Sequence, residues 1–214
     1  MKLRESILYP LVVILALLYV YFMPDYRTVV IDGRKWNVIA DYDNAGEAAA
    51  MLAGVHKDMV RFMRYLVDKY QVDKIPAVAP ANTDLFNIVS ALVKNYNPDE
   101  FYENDPRFSG ETSYTKGKGS SMYICIRHRE DPTKLVDRGM LFFVILHEMA
   151  HIGNYNGWAH KPRFWEVFKF LLAEARASGI YVPVNYAEHP MQYCGLNVAY
   201  NPLFDPSIAV IGGV

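Results

Sequence analysis

Apolar residues are distributed along this chain in three different patterns. The first is an unbroken run, Ile7 to Met23, of 17 residues without a charge. That length is at the lower end of what crosses a bilayer core as a helix. Lys2 and Arg4 precede it, and Tyr9, Tyr19 and Tyr21 lie near its ends, where amphipathic rings prefer an interface. The end of the run, Phe22-Met23-Pro24-Asp25, has no small-residue cleavage pattern. The run therefore predicts a retained single-pass anchor over residues 1–24 with a cytoplasmic N-terminus; a cleaved signal and a buried core helix are the competing readings.

The second pattern is short β-rich runs. Val29 to Ile31 and Trp36 to Ile39 flank Asp32-Gly33, a hairpin signal in a segment, residues 25–44, that reads as a hairpin and linker. Thr112 to Thr115 and Met122 to Arg127 flank Lys116-Gly117-Lys118-Gly119. This Lys-Gly run lacks Walker spacing and reads as a solvated turn. The strand from Met122 to Ile126 is either an edge that pairs with an extended substrate or an ordinary interior strand.

The third pattern has helical period. Ala48, Met51, Leu52, Val55, Met59, Phe62, Met63 and Leu66 form one stripe in a helix from Ala45 to Tyr70. A second helix is expected over Asp84 to Asn95, and residues 97–111 read as loop, as does the connector Pro76 to Pro80. A third helix begins between Asp131 and Asp137, runs through Met140 to Leu146 and ends near Gly153. It is apolar almost all round, which predicts burial. Pro162 opens a fourth helix and Gly179 closes it, with Phe164, Val167, Phe168, Leu171, Leu172 and Ala175 as its stripe. Four helices and few strands predict an α+β domain over residues 45–214, with a small, mostly antiparallel sheet.

Composition changes this picture little. The chain has 214 residues, 52% of them hydrophobic and 21% charged, with a net charge of -1. That excludes disorder throughout and provides no general field for nucleic acid, which is not an expected partner. Two cysteines, Cys125 and Cys194, exclude a disulfide-dense scaffold; a bond between them and two free buried thiols both fit.

The chemistry is concentrated in His147-Glu148-Met149-Ala150-His151, an H-E-x-x-H match. Residues four apart on a helix are offset by about 40° and one turn, so the two imidazoles share a face and can share one zinc ion. Glu148 projects beside them, where it can take a proton from water whose pKa zinc lowers. Two histidines and a glutamate on a buried helix are costly without a purpose. A third ligand is expected from His160, beyond Gly153 and Gly157, with Glu166 and Glu174 as alternatives. Tyr123, Tyr155, Tyr186 and Tyr193 are candidates for contacting substrate or a developing oxyanion, although in a chain with 16 tyrosines packing is the better reading of each.

The sequence Leu146 to His151, a glycine-bearing turn and then His160-Lys161-Pro162-Arg163-Phe164-Trp165 resembles the WLM and SprT-like zinc metallopeptidases, with the strongest likeness to the WLM-like peptidases of large DNA viruses. The likeness extends over roughly residues 45 to 205. It implies a zincin-like fold, one zinc ion held by His147, His151 and His160, Glu148 as the catalytic base and a protein or peptide substrate. With the expected anchor, the reading is a membrane-bound zinc endopeptidase, in a virion or host membrane. Two alternatives stand beside it: a catalytically silent membrane or virion protein with a structural zinc site, and a DNA-associated protease acting on crosslinked proteins, as the cellular relatives do.

Overall fold

A computed structural model describes residues 9–15, 17, 25–72, 83–105, 107, 110–155, 157 and 160–211. Strands β1 (Tyr26–Ile31) and β2 (Arg34–Ile39) form an antiparallel hairpin. Asp32 and Gly33 both have positive φ, as a two-residue turn between right-twisted strands requires. The hairpin is part of the core: Trp36 and Val38 are buried against α1 (Ala45–Tyr70). Ala48, Leu52, Val55, Met59, Phe62 and Leu66 form the buried stripe of α1, at the three- and four-residue spacing of one helix face. Helix α2 (Thr83–Asn95) buries Leu85, Ile88, Val89 and Leu92. The connector Pro76 to Pro80 lies outside the described residues.

Strands β3 (Phe101–Glu103), β4 (Tyr114–Lys116) and β5 (Ser121–Ile124) form one sheet in the order β3-β5-β4. The β3–β5 pairing is parallel and the β4–β5 pairing antiparallel. The central strand is therefore β5, and β4 is an edge. This decides between the two readings of the 122–126 segment in favour of an interior strand. β3 falls in a segment expected to be loop.

Helix α3 (Arg138–Gly153) starts at Asp137, whose carboxylate accepts the Met140 N–H at 2.9 Å. It is buried nearly all round, as its composition requires, and packs against α2, β4 and α4 (Pro162–Ala177). The chain ends in a second hairpin, β6 (Met191–Tyr193) and β7 (Leu196–Val198), and a single 3₁₀ turn, Pro202–Phe204. Lys169 of α4 fastens this last segment by donating to the carbonyls of Asp205 at 2.7 Å and Ile208 at 3.0 Å. The whole is α+β with small sheets.

The expected membrane anchor is corrected here. Among the described residues, no helix is long and apolar enough to cross a membrane. The Ile7–Met23 run lies partly outside the described residues. A single-pass placement, in a virion or host membrane, therefore has no support.

A candidate metal centre

His147 and His151 lie one turn apart on α3, and their ring centroids are 5.1 Å from each other. The third imidazole arrives from outside the helix. His160 stands just before Lys161, the N-cap of α4, which Pro162 opens. Its ring centroid lies 5.0 Å from that of His147 and 4.8 Å from that of His151. The Nε2 atoms of His160 and His147 are 3.0 Å apart, and one nitrogen from each of the three residues lies within 4.8 Å of the others. Tetrahedral zinc with Zn–N bonds near 2.1 Å places its nitrogens about 3.4 Å apart. Two of these imidazoles are already at that range, and the widest separation must contract to complete the set. The donor chemistry fits zinc: three imidazoles, borderline-soft, with no fourth ligating side chain in the cluster among the described residues.

Phe164 forms the floor. It sits two residues into α4, fully buried, with its ring 4.8 Å from His147, 4.4 Å from His151 and 4.6 Å from His160. The residues that bring His160 back to the helix thus also supply the apolar surface against which all three imidazoles rest. That burial, with His151 and His160 beside it, drives the His147 imidazole down to about 3, so it is neutral and ready to ligate. In sequence Phe164 is legible as part of a core stripe and of the His160–Trp165 motif, but not as the surface beneath the imidazoles.

The two alternative third ligands are engaged elsewhere. Both carboxylate oxygens of Glu174 accept from Lys69 Nζ at 2.8 Å, and Glu166 accepts from Arg163 at 3.1 Å. Neither belongs to the cluster.

Glu148 is buried beside the histidines. Burial pushes its carboxyl up to about 8, the nearby Glu111 carboxylate adds to the rise, and a hydrogen bond from the Thr115 backbone opposes it. A carboxyl poised near neutrality next to the neutral His147 imidazole has the pKa of a general base or acid. The Thr115 bond was not legible in sequence, because it needs edge strand β4 laid against α3. Glu111, on the approach to β4, was also missed; its loop is held by buried Asn104, whose Nδ2 donates to the carbonyls of Glu111 at 2.7 Å and Thr112 at 2.8 Å.

The tyrosines divide. The Tyr193 hydroxyl is buried near Glu148 but donates to the Cys125 carbonyl at 2.7 Å and lies 2.6 Å from Ser113 Oγ. Tyr155 donates to Asp84 of α2 at 3.0 Å. Tyr123 is stacked between Tyr102 and Tyr114 on the outer face of the sheet, with centroids 5.2 and 4.9 Å away. Tyr186 is buried in the core against Phe143. All four are occupied by packing or by the fold's own polar groups. Cys125 and Cys194 form a disulfide.

The chain is similar to an uncharacterized protein of Acanthamoeba polyphaga mimivirus, 28% identical over 163 residues that cover 76% of each chain. No family model and no solved structure matches. The comparisons attach no peptidase name to this chain, so the descriptors protease and transmembrane find no support in them. No family model supports the likeness to WLM and SprT-like enzymes.

Proposed function

We propose that this protein is a zinc-dependent peptidase whose metal is held by His147, His151 and His160. The observation that carries the reading is the convergence of three imidazole ligands beside one buried carboxyl whose pKa lies near 8. A zinc ion bound there supplies Lewis-acid polarisation of a carbonyl and lowers the pKa of water at the site. The residues do the rest. Glu148 takes the proton of the attacking water and returns it to the leaving amine. The Thr115 N–H holds the Glu148 carboxylate in place. Edge strand β4, unpaired on one side among the described residues, offers main-chain groups to an extended peptide beside Glu148.

The test uses purified full-length chain. The expected results are one zinc per chain and hydrolysis of a quenched peptide library. Glu148→Gln should keep the zinc and lose about 10²- to 10⁴-fold in rate, whereas His160→Ala should lose the zinc. A chain that binds no zinc, or a Glu148→Gln variant that cleaves as fast as the parent, overturns the proposal. Zinc bound without any hydrolysis would make the site structural.

A further inference from the structure

The segment that leads into β4 is held by side chains from other elements. The β4–β5 pairing begins at Tyr114, opposite Tyr123. Ahead of it, buried Asn104 donates to the carbonyls of Glu111 and Thr112. Ser113 is held by Tyr193, from the C-terminal hairpin. The Tyr193 hydroxyl donates its one proton to the Cys125 carbonyl at 2.7 Å, so in its 2.6 Å contact with Ser113 Oγ the serine is the donor. Ser113 Oγ in turn accepts from the Cys125 N–H at 2.9 Å. The three residues close a hydrogen-bond cycle in which each hydroxyl donates once and accepts once. Cys125 is fully buried and Tyr193 is 2% exposed, so losing one member leaves buried polar groups unpaired.

This cycle bears on the candidate site. Two residues beyond Ser113, the Thr115 backbone bonds the Glu148 carboxylate, and β4 packs against α3. Strand β4 is only three residues long, with few ladder bonds to fix it. The place of Thr115 therefore depends on how the residues before the strand are anchored. Tyr193 is itself anchored. Its neighbour Cys194 is bonded to Cys125, the same residue whose carbonyl takes the Tyr193 proton. Two successive hairpin residues thus engage one residue at the end of β5. The aromatic ring alone would serve packing. A buried hydroxyl is costly unless it is used, and this one is spent on the approach to β4.

We propose that Tyr193 is a positioning residue: its hydroxyl, acting through Ser113, sets edge strand β4 so that the Thr115 N–H meets the Glu148 carboxylate. The consequence for catalysis rests on the peptidase reading; the placement of the strand does not. The test compares backbone amide exchange, read by mass spectrometry, in the metal-free full-length parent, Tyr193→Phe and Ser113→Ala. Residues 112–116 should exchange about tenfold faster in both variants, with α1 at the parent's rate. Ser113→Ala decides where Tyr193→Phe does not fold. In the zinc-loaded chain, Tyr193→Phe should keep its zinc and lose about tenfold in kcat. Unchanged exchange at 112–116 means that the strand is held without the cycle, and overturns the proposal. So does acceleration shared equally by α1 and β4, which would make the hydroxyl a contributor to stability at large. So, too, does a parent that cleaves peptide no faster than Tyr193→Phe. A parent that hydrolyses no peptide overturns the peptidase reading instead, and amide exchange still decides on Tyr193.

Discussion

His147 and Glu148 are neighbours in sequence whose titrations are displaced in opposite directions. In the metal-free folded chain the Glu148 carboxyl lies at about 8 against an ordinary 4.5, so between those values the folded state holds a proton that the unfolded state has released. Its contribution to stability falls as pH rises through that interval. His147, at about 3 against 6.5, acts the other way: the unfolded chain holds the proton, and stability climbs with pH from 3 to 6.5. The two offset each other between 4.5 and 6.5, and Glu148 acts alone from 6.5 to 8. Metal-free protein should therefore unfold at lower urea at pH 8 than at pH 6.5, and Glu148→Gln should remove the difference. Equal midpoints for the parent at the two pH values would show that Glu148 is not buried as described. At this scale the sequence was most informative where chemistry is local. Spacing alone placed His147, Glu148 and His151 on one helix. His160 needed a turn whose course no periodicity describes, and Thr115 and Glu111 needed a long-range strand-on-helix contact.

Among the elements, the helices were legible nearly to the residue because their stripes are long and their ends are marked by Asp137, Pro162 and Gly179. Strand β3 was not, since three residues between Pro98 and Pro106 carry no period, and only its pairing with Met122 to Ile124 makes it a strand. Strand β4 begins two residues later than the β-rich run suggests. Thr112 and Ser113 are committed instead to Asn104, Cys125 and Tyr193. The turn from β4 to β5 is more constrained than its composition implies. Gly119 has φ +106°, a conformation side chains rarely adopt, and an added Cβ would come within 2.8 Å of Ile152 Cδ1 and 2.9 Å of the Asn95 carbonyl. A turn that looked merely solvated is thus a seat for the helix that carries His147 and His151. Gly119→Ala should cost about 1–3 kcal/mol, read from urea unfolding. An unshifted midpoint would mean that the turn does not press on α3.

At the scale of the whole molecule, the disulfide joins the end of the central sheet to the C-terminal hairpin across 69 residues. Composition could not choose between this bond and two free thiols, because pairing depends on Cys194 standing in the β6–β7 turn beside β5. Closing a loop of that length removes unfolded-state entropy worth about 4 kcal/mol. The Cys125→Ser, Cys194→Ser chain, or the parent in reductant, should therefore unfold at markedly lower denaturant; coincident curves would show that the bond carries no stability. The apolar N-terminal run has the hydropathy of an anchor, yet hydropathy speaks only to composition, and among the described residues no helix is long and apolar enough to cross a membrane. The bond also has a consequence for how damage to the molecule would be seen. All three histidines and Glu148 lie inside the covalent ring that it closes. A single backbone cut between residues 125 and 194 releases no fragment. The severed pieces stay tethered, and such a nick would show as a smaller band only after the sulfurs are reduced.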